Sequence, residues 1–271
     1  MKHFFRTMPQ ANVVGASATS IFQVPLGPSY RTMYLRHTTG AAVDATEATM
    51  ISNILRIRVR INGIARWDIS GANYISLLKY YGYTIDDGVL PLVFSRKYAR
   101  TIPGEENTMF GTKNLETLTV EVDLGASLTP TLDLQADYTP ESRDLGPIIQ
   151  LLENTYTASA AGQFEISSLP KSNGSLVGLH MHSSLITAAE MLLDNVQHFD
   201  ADLLTVRSAY KETGRVPQTN VQHIEPTYLD RFDDVLALQN VQDFRLKLTL
   251  SGAGSVPIVQ ETLFVPIANA A

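Results

Sequence analysis

Cysteine is absent from all 271 residues, so a disulfide framework, a thiolate zinc site and a thiol nucleophile are excluded together, and nothing in the fold depends on oxidation. Tryptophan occurs once, and charged side chains make up only 18% of the chain. No run approaches the roughly 18 consecutive apolar residues that a membrane-spanning helix needs. The opening stretch, MKHFFRTMPQ, is too short in its apolar part for a secretory signal, so the chain is expected to fold and stay where it is made. Three catalytic signatures are missing as well: the nucleophile elbow G-x-S-x-G, the phosphate-cradling G-x-x-x-x-G-K-[ST] and the zinc motif H-E-x-x-H. What is present is 44% apolar sequence at a length that suits one large or two ordinary globular domains.

The formal charge of −6 argues against a nucleic-acid binder whose affinity rests on phosphate neutralisation, so no direct nucleic-acid partner is expected. The charge is also uneven. Residues 1–144 hold 14 basic and 14 acidic side chains, which leaves seven against thirteen for residues 145–271 and places all six excess negatives there. Residues 1–43 contain Lys2, Arg6, Arg31 and Arg36 and no acid, so the N-terminus is locally cationic.

Alternation with period two dominates the pattern. Its cleanest case is Leu55-Arg56-Ile57-Arg58-Val59-Arg60-Ile61, with aliphatic side chains on one face and arginines on the other, which predicts a half-buried strand. Similar runs occur at Ile21–Val24, Met33–His37, Val89–Phe94, Leu118–Leu124, Leu132–Tyr138, Leu176–His182, Phe244–Leu250 and Ile258–Val265, mostly separated by Gly, Pro, Asn or Asp. Only Ala72–Tyr81 and Asp202–Glu212 look helical. Many short strands with rare short helices predict an all-β sandwich or barrel.

The second half repeats the first. Pro25 and His37 match Pro170 and His182, and the turn Asn62-Gly63 followed by Trp67-Asp68 and a helix matches Asp194-Asn195, Phe199-Asp200 and a helix. Met109, Phe110, Asn114 and Leu124 match Val235, Leu236, Asn240 and Leu250. The offset between the copies shrinks only where the first copy has a longer connection, at Thr38–Asn53 and around Arg96–Asn107. This predicts two tandem eight-stranded jelly rolls, a double jelly roll, each with one short helix after the fifth strand to plug an open end of the sandwich. The boundaries expected are an N-terminal arm at 1–14, a first roll at 15–142 and a second at 146–268.

The phrases VPLGPSYRTMYLRH (24–37), RVRINGIARW (58–67), SLPKSNGSLVGLHMH (168–182) and NVQDFRLKLTLSG (240–252) complete a resemblance that covers nearly the whole chain. It resembles the double jelly-roll major capsid proteins of icosahedral viruses with an internal membrane, most closely those of the corticovirus type of marine bacteriophage. That resemblance implies a structural protein and not an enzyme, forming homotrimeric pseudo-hexameric capsomers. It also implies neighbouring capsomers, a penton or vertex protein and the internal membrane or its proteins as partners, and a place in the virion after assembly in the host cytoplasm. The family sets the N-terminal end on the inner side of the shell, and Lys2, Phe4, Phe5 and Arg6, cationic residues mixed with aromatics, suit an anionic lipid surface there. No cofactor is implied beyond a structural divalent ion such as calcium between subunits, with no ligand assigned.

Gly174 followed by His180 and His182 has the spacing of the first cupin metal motif, and two imidazoles at i and i+2 share one side of a strand. A cupin-like metal enzyme using His180 and His182 is therefore the alternative function. A carboxylate is missing at Ile186 and Thr187, where that motif needs one, Glu190 comes too late, and no second motif follows, so the bland reading is a strand whose Leu179 and Met181 enter the core. A carbohydrate-binding double jelly roll is the third possibility. The acid pairs Asp86-Asp87, Glu105-Glu106 and Asp233-Asp234 read as solvated loop charges. Arg56, Arg58 and Arg60 read as an ion-paired strand face or a subunit contact, and Trp67 as the anchor of the first core with Phe199 as its counterpart.

Overall fold

The computed structural model describes residues 3–40, 42–96, 102–126, 130–171 and 174–266. The chain divides into two compact units: the first is formed by the chain up to Leu78, by Tyr83–Leu151 and by the chain from Val265, the second by Lys79–Gly82 and Leu152–Phe264. The first half of the chain runs in the order β1 (Phe4–Thr7), β2 (Thr19–Gln23), β3 (Ser29–Thr39), β4 (Val43–Asp44), α1 (Glu47–Asn53), β5 (Ile54–Ile61), β6 (Ile64–Ile69), α2 (Gly71–Tyr80), β7 (Val89–Val93), α3 (Ile102–Glu106), β8 (Phe110–Gly111), β9 (Leu118–Leu124) and β10 (Thr131–Thr139). After β11 (Ile148–Ala158) come β12 (Gly162–Ile166), β13 (Gly174–His182), β14 (Ile186–Leu193), β15 (Val196–Asp200), α4 (Leu203–Glu212), β16 (Val221–Ile224), β17 (Leu236–Ala237), β18 (Phe244–Leu250) and β19 (Gly254–Phe264).

Each unit contains the same two antiparallel sheets. In the first, β3 lies between β10 and the pair β7 and β8, while β5 and β9 are central in the order β6-β5-β9-β2. In the second, β13 lies between β19 and the pair β16 and β17, and the other sheet runs β15-β14-β18-β12. Eight strands thus correspond one to one, β2 with β12 through to β10 with β19, and α2 corresponds to α4. In both units the helix follows the fourth of these eight strands and not the fifth. The sandwich interiors are apolar: Phe22, Met33, Leu35, Ile57, Val59, Trp67 and Val122 are buried in the first, and Leu179, Met181, Leu246 and Leu248 in the second.

Three local features differ from the sequence pattern. The stretch Thr38–Asn53, which reads as a plain connection, continues β3 to Thr39, adds β4 and forms α1, whose Thr46 side chain caps the Thr49 N–H and whose Met50 is buried. The stretch 96–107 likewise carries α3. On β5 the pairing slips between Ile54 and Arg56, and this bulge turns Leu55 out to 53% exposure instead of into the core with its aliphatic neighbours.

The two central hairpins repeat in atomic detail. Asn62 and Gly63 take positive φ of 49° and 77°, and Asp194 and Asn195 take 49° and 64°, the left-handed pair that a two-residue turn requires. The Asn62 Oδ1 accepts the N–H groups of Glu116 (2.9 Å) and Thr117 (3.1 Å), and the Asp194 Oδ1 accepts those of Gln242 and Asp243 (both 2.8 Å). The backbone N–H of each turn residue returns a bond to the second partner's carbonyl, Thr117 or Asp243. One oxygen at each hairpin tip thereby fixes where β9 or β18 enters its sheet.

Trp67 donates its indole N–H to the Ile149 carbonyl (2.8 Å) and is 1% exposed. Trp67→Ala is expected to lower unfolding stability by about 3–5 kcal/mol, read as a shift in the denaturant midpoint. Asp194→Ala, which releases two exposed loop N–H groups to water, should cost about 0.5–1.5 kcal/mol, whereas Asp194→Asn, the side chain type of the first copy, should cost less than half of that in the same titration.

Candidate functional site

The most concentrated set of ionisable groups lies inside the second unit. His180 and His182 share one side of β13, while Leu179 and Met181 between and beside them enter the core. His180 faces His223 across the β13–β16 pairing, and their Nδ1 atoms are 2.8 Å apart. One ring must donate and the other accept. The Nε2 of His180 is 3.5 Å from the Glu261 carboxylate, which favours a proton on that nitrogen and so makes His223 the donor at Nδ1.

Residues 80 and 81 close over this pair within the same unit. The Tyr80 ring stacks on His223 at 3.8 Å, and its hydroxyl donates to Glu225 Oε2 (2.6 Å), while the Tyr81 hydroxyl donates to Glu261 Oε2 (2.6 Å). Glu225 is further held by Arg215 through Nε (3.0 Å to Oε2) and Nη2 (2.8 Å to Oε1), and Arg215 also reaches Asp230 (2.6 Å). Arg215 and Glu225 are both nearly inaccessible, so this charge pair is held by its fork geometry and not by solvent. Burial and the charge of Glu225 push the Tyr80 hydroxyl well above the ordinary tyrosine range. Burial, with His180 beside it, lowers His182 to about 3, and burial together with His180, His182 and Arg207 holds His223 well below its usual value.

The cupin-like alternative does not find its geometry. Among the described residues no three His, Asp or Glu side chains converge as metal ligands, and His180 is bonded to His223 instead of sharing an ion with His182. In the first copy the matching bulges of β3 and β13 put Tyr34 and Pro91, which pair on β3 and β7 and are partly buried, in the places of His180 and His223. The jelly roll therefore does not require the imidazole pair. His223 and the Tyr80–Tyr81 cover were missed in the sequence, where only the β13 spacing was visible.

The arginine row is ion-paired across the sheet. Arg56 meets Asp68 (2.5 Å), Arg58 takes Asp123 through two bonds (3.1 and 2.6 Å) and Arg60 meets Glu121 (2.8 Å). Of the acid pairs, Glu105-Glu106 is not a solvated loop charge, because it holds the buried Arg31 (3.7 and 2.5 Å). Asp87 accepts the first N–H of α1, from Glu47 (3.2 Å). Asp233 and Asp234 lie in a short 3-10 turn.

Of the N-terminal residues singled out, Lys2 lies outside the described residues. Phe4, Phe5 and Arg6 form the exposed edge strand β1, in register with Tyr138, Asp137 and Ala136 of β10. The Phe4 ring lies 5.9 Å from Tyr138 and the Phe5 ring 6.1 Å from Tyr34, and Phe5 remains 68% exposed.

Two units that repeat eight strands and a helix in the same order form the architecture of the double jelly-roll viral coat proteins. The chain belongs to the viral coat protein P2 family: the N-terminal domain of that family matches residues 5–139 and the C-terminal domain residues 148–266. Among solved structures, the major capsid protein P2 from bacteriophage PM2 is similar with a TM-score of 0.89 and 19% identity over 99% of both chains. The major capsid protein of STIV is similar with a TM-score of 0.71 and 11% identity over 100% of both chains, and the PBCV-1 virus capsid with 0.68 and 9% over 99% of this chain and 97% of that one. No curated protein matches the sequence significantly. As a viral coat protein the chain has a structural role in the capsid of the virion.

The histidines set the acid response. His182 and His223 stay neutral in the native unit but titrate near 6.5 when unfolded, so below that pH the unfolded chain binds protons the native one refuses. Stability should be level above pH about 6.5 and fall below it by up to about 1.4 kcal/mol per pH unit for each histidine. Urea midpoints measured from pH 7.5 to about 5.5 should show this slope, and His180→Leu with His223→Leu should reduce it; equal slopes in both proteins would contradict the assignment.

Proposed function

We propose that the chain is the major capsid protein of a membrane-containing icosahedral bacteriophage, and that its working unit is a homotrimer whose six jelly rolls make a pseudo-hexameric tile. The observation that carries this reading is the strand-for-strand duplication. A protein that must occupy six similar positions with three chains needs two copies of one wedge in each, and nothing in single-chain stability demands that repetition. The divergence between copies fits the same role: all six excess negative charges fall in the second half, so adjoining wedges need not be self-complementary. Specificity would then come from lateral contacts repeated many times, each weak by itself. Neighbouring capsomers and a penton or vertex protein complete the partner set.

The N-terminal segment is proposed to face the internal membrane or its proteins, with Lys2, Phe4, Phe5 and Arg6 as its contact residues. Two exposed aromatic rings beside a cation on an edge strand support this, because such a surface pairs shallow apolar insertion with attraction to anionic headgroups.

Light scattering of the purified protein tests the trimer, with an expected mass of about three times 29.8 kDa; a monomer at capsid-forming concentrations would remove the tile. Flotation with anionic liposomes tests the membrane contact. Phe4→Ser with Phe5→Ser should reduce the floated fraction at least about fivefold relative to the parent protein, and equal flotation by both would exclude the segment from lipid binding.

A further inference from the structure

The two copies differ most under their helices. In the first unit Trp67, Tyr74, Phe94 and Phe110 form a closed aromatic stack, with Trp67 5.4 Å from Tyr74 and 5.1 Å from Phe94, and Phe94 4.1 Å from Phe110. All four rings are buried. In the second unit the place of Trp67 is taken by Phe199, which faces Met191 as Trp67 faces Val59. The place of Tyr74 on the helix is taken by Val206, and that of Phe110 by Leu236, which faces Leu176 as Phe110 faces Tyr30. Phe199, Val206 and Leu236 are each only partly buried, and together they line a cleft of about 260 Å³ open to the surface. The second unit is therefore hollow at the position that the first unit fills with its own indole and phenol rings.

The walls define what fits. Met191, Ile224 and Pro226 complete an apolar lining. The one carboxylate at the cleft, Glu225, is already held by Arg215 and Tyr80, and the Tyr210 hydroxyl accepts the Glu225 N–H (2.8 Å), so no free charge points inward. The volume lies below the roughly 300–1,000 Å³ of sites that enclose a whole small-molecule ligand, and above the roughly 150 Å³ that holds benzene. One bicyclic or phenolic ring projecting from something larger matches it.

The rim adds a preference. The pairing of β15 with β14 slips opposite His198, and such a bulge sets consecutive side chains toward the same side, which accounts for His198 and Phe199 both lining the cleft. Asp200, Asp202, Asp233 and Asp234 flank the lining segments and outnumber Arg207, Lys211 and Arg231. We propose that this cleft of the second unit receives an aromatic side chain, tryptophan or tyrosine, of a partner protein in which basic residues flank that ring. The inference stands on the comparison of the two units and does not depend on the trimer or membrane readings.

The test uses the full chain and the capped peptide Lys-(5-fluoro-Trp)-Lys, followed by fluorine NMR, with Glu-(5-fluoro-Trp)-Glu and free 5-fluoroindole as comparisons. Saturable binding of the basic peptide is expected, at least about threefold tighter than the acidic one. Phe199→Trp with Val206→Tyr restores the residues of the first unit and should weaken that binding about tenfold or more, at an equal or higher melting temperature. If this double variant does not fold, Leu236→Phe is read in the same way. Absence of saturable binding, unchanged binding in the filled variants, or 5-fluoroindole binding as tightly as the basic peptide would each overturn the proposal, the last because it makes the site one for small aromatic molecules.

Discussion

A single side-chain oxygen at the tip of each central hairpin collects two adjacent backbone N–H groups, and the rest of each sandwich is registered from that point. Asn62 does this for the segment entering β9, and Asp194 does it for the segment entering β18. Because side chains on a strand alternate with period two, a slip of one residue at either entry would turn Val120 and Val122, or Leu246 and Leu248, from core to solvent. The clamp survives a change of amide to carboxylate because both offer the same acceptor. It therefore constrains geometry while leaving charge free to diverge between the copies.

Divergence between the copies extends to the sheet face turned away from the sandwich interior. The Tyr34–Pro91 pairing of the first unit becomes the His180–His223 pair of the second, with Tyr80, Tyr81, Glu225, Glu261 and Arg215 assembled around it. An all-polar network of this kind is tolerated only when nearly every member is satisfied, and it contributes little net stability beside a hydrophobic pair of similar volume.

Much of this architecture was legible in residue order. The alternation over Leu118–Leu124 and Phe244–Leu250 marks two strands to the residue, and the shared order of turn, aromatic, acid and helix identifies the duplication, because only connections had changed length. The residues that escaped were those whose partners come from elsewhere in the chain. His180 and His182 are visible as a spacing, but His223 is a neighbour only through strand pairing, and Tyr80 reaches it from a segment 143 residues earlier. Leu55 departs from the alternation because a bulge breaks it without any sign in composition. Thr38–Asn53 looked like a loop because its polar and small residues hide a seven-residue helix with a single buried methionine anchor.

The short strand β1 has a consequence for handling the protein. It occupies four positions along the nine-residue β10, and beyond it the sheet ends. Those few residues act as a selvedge, stopping the weave of backbone groups from offering a long ready seam to stray chains. Fusions or proteolysis at that terminus would fray the hem, and clumping in storage would be the visible symptom.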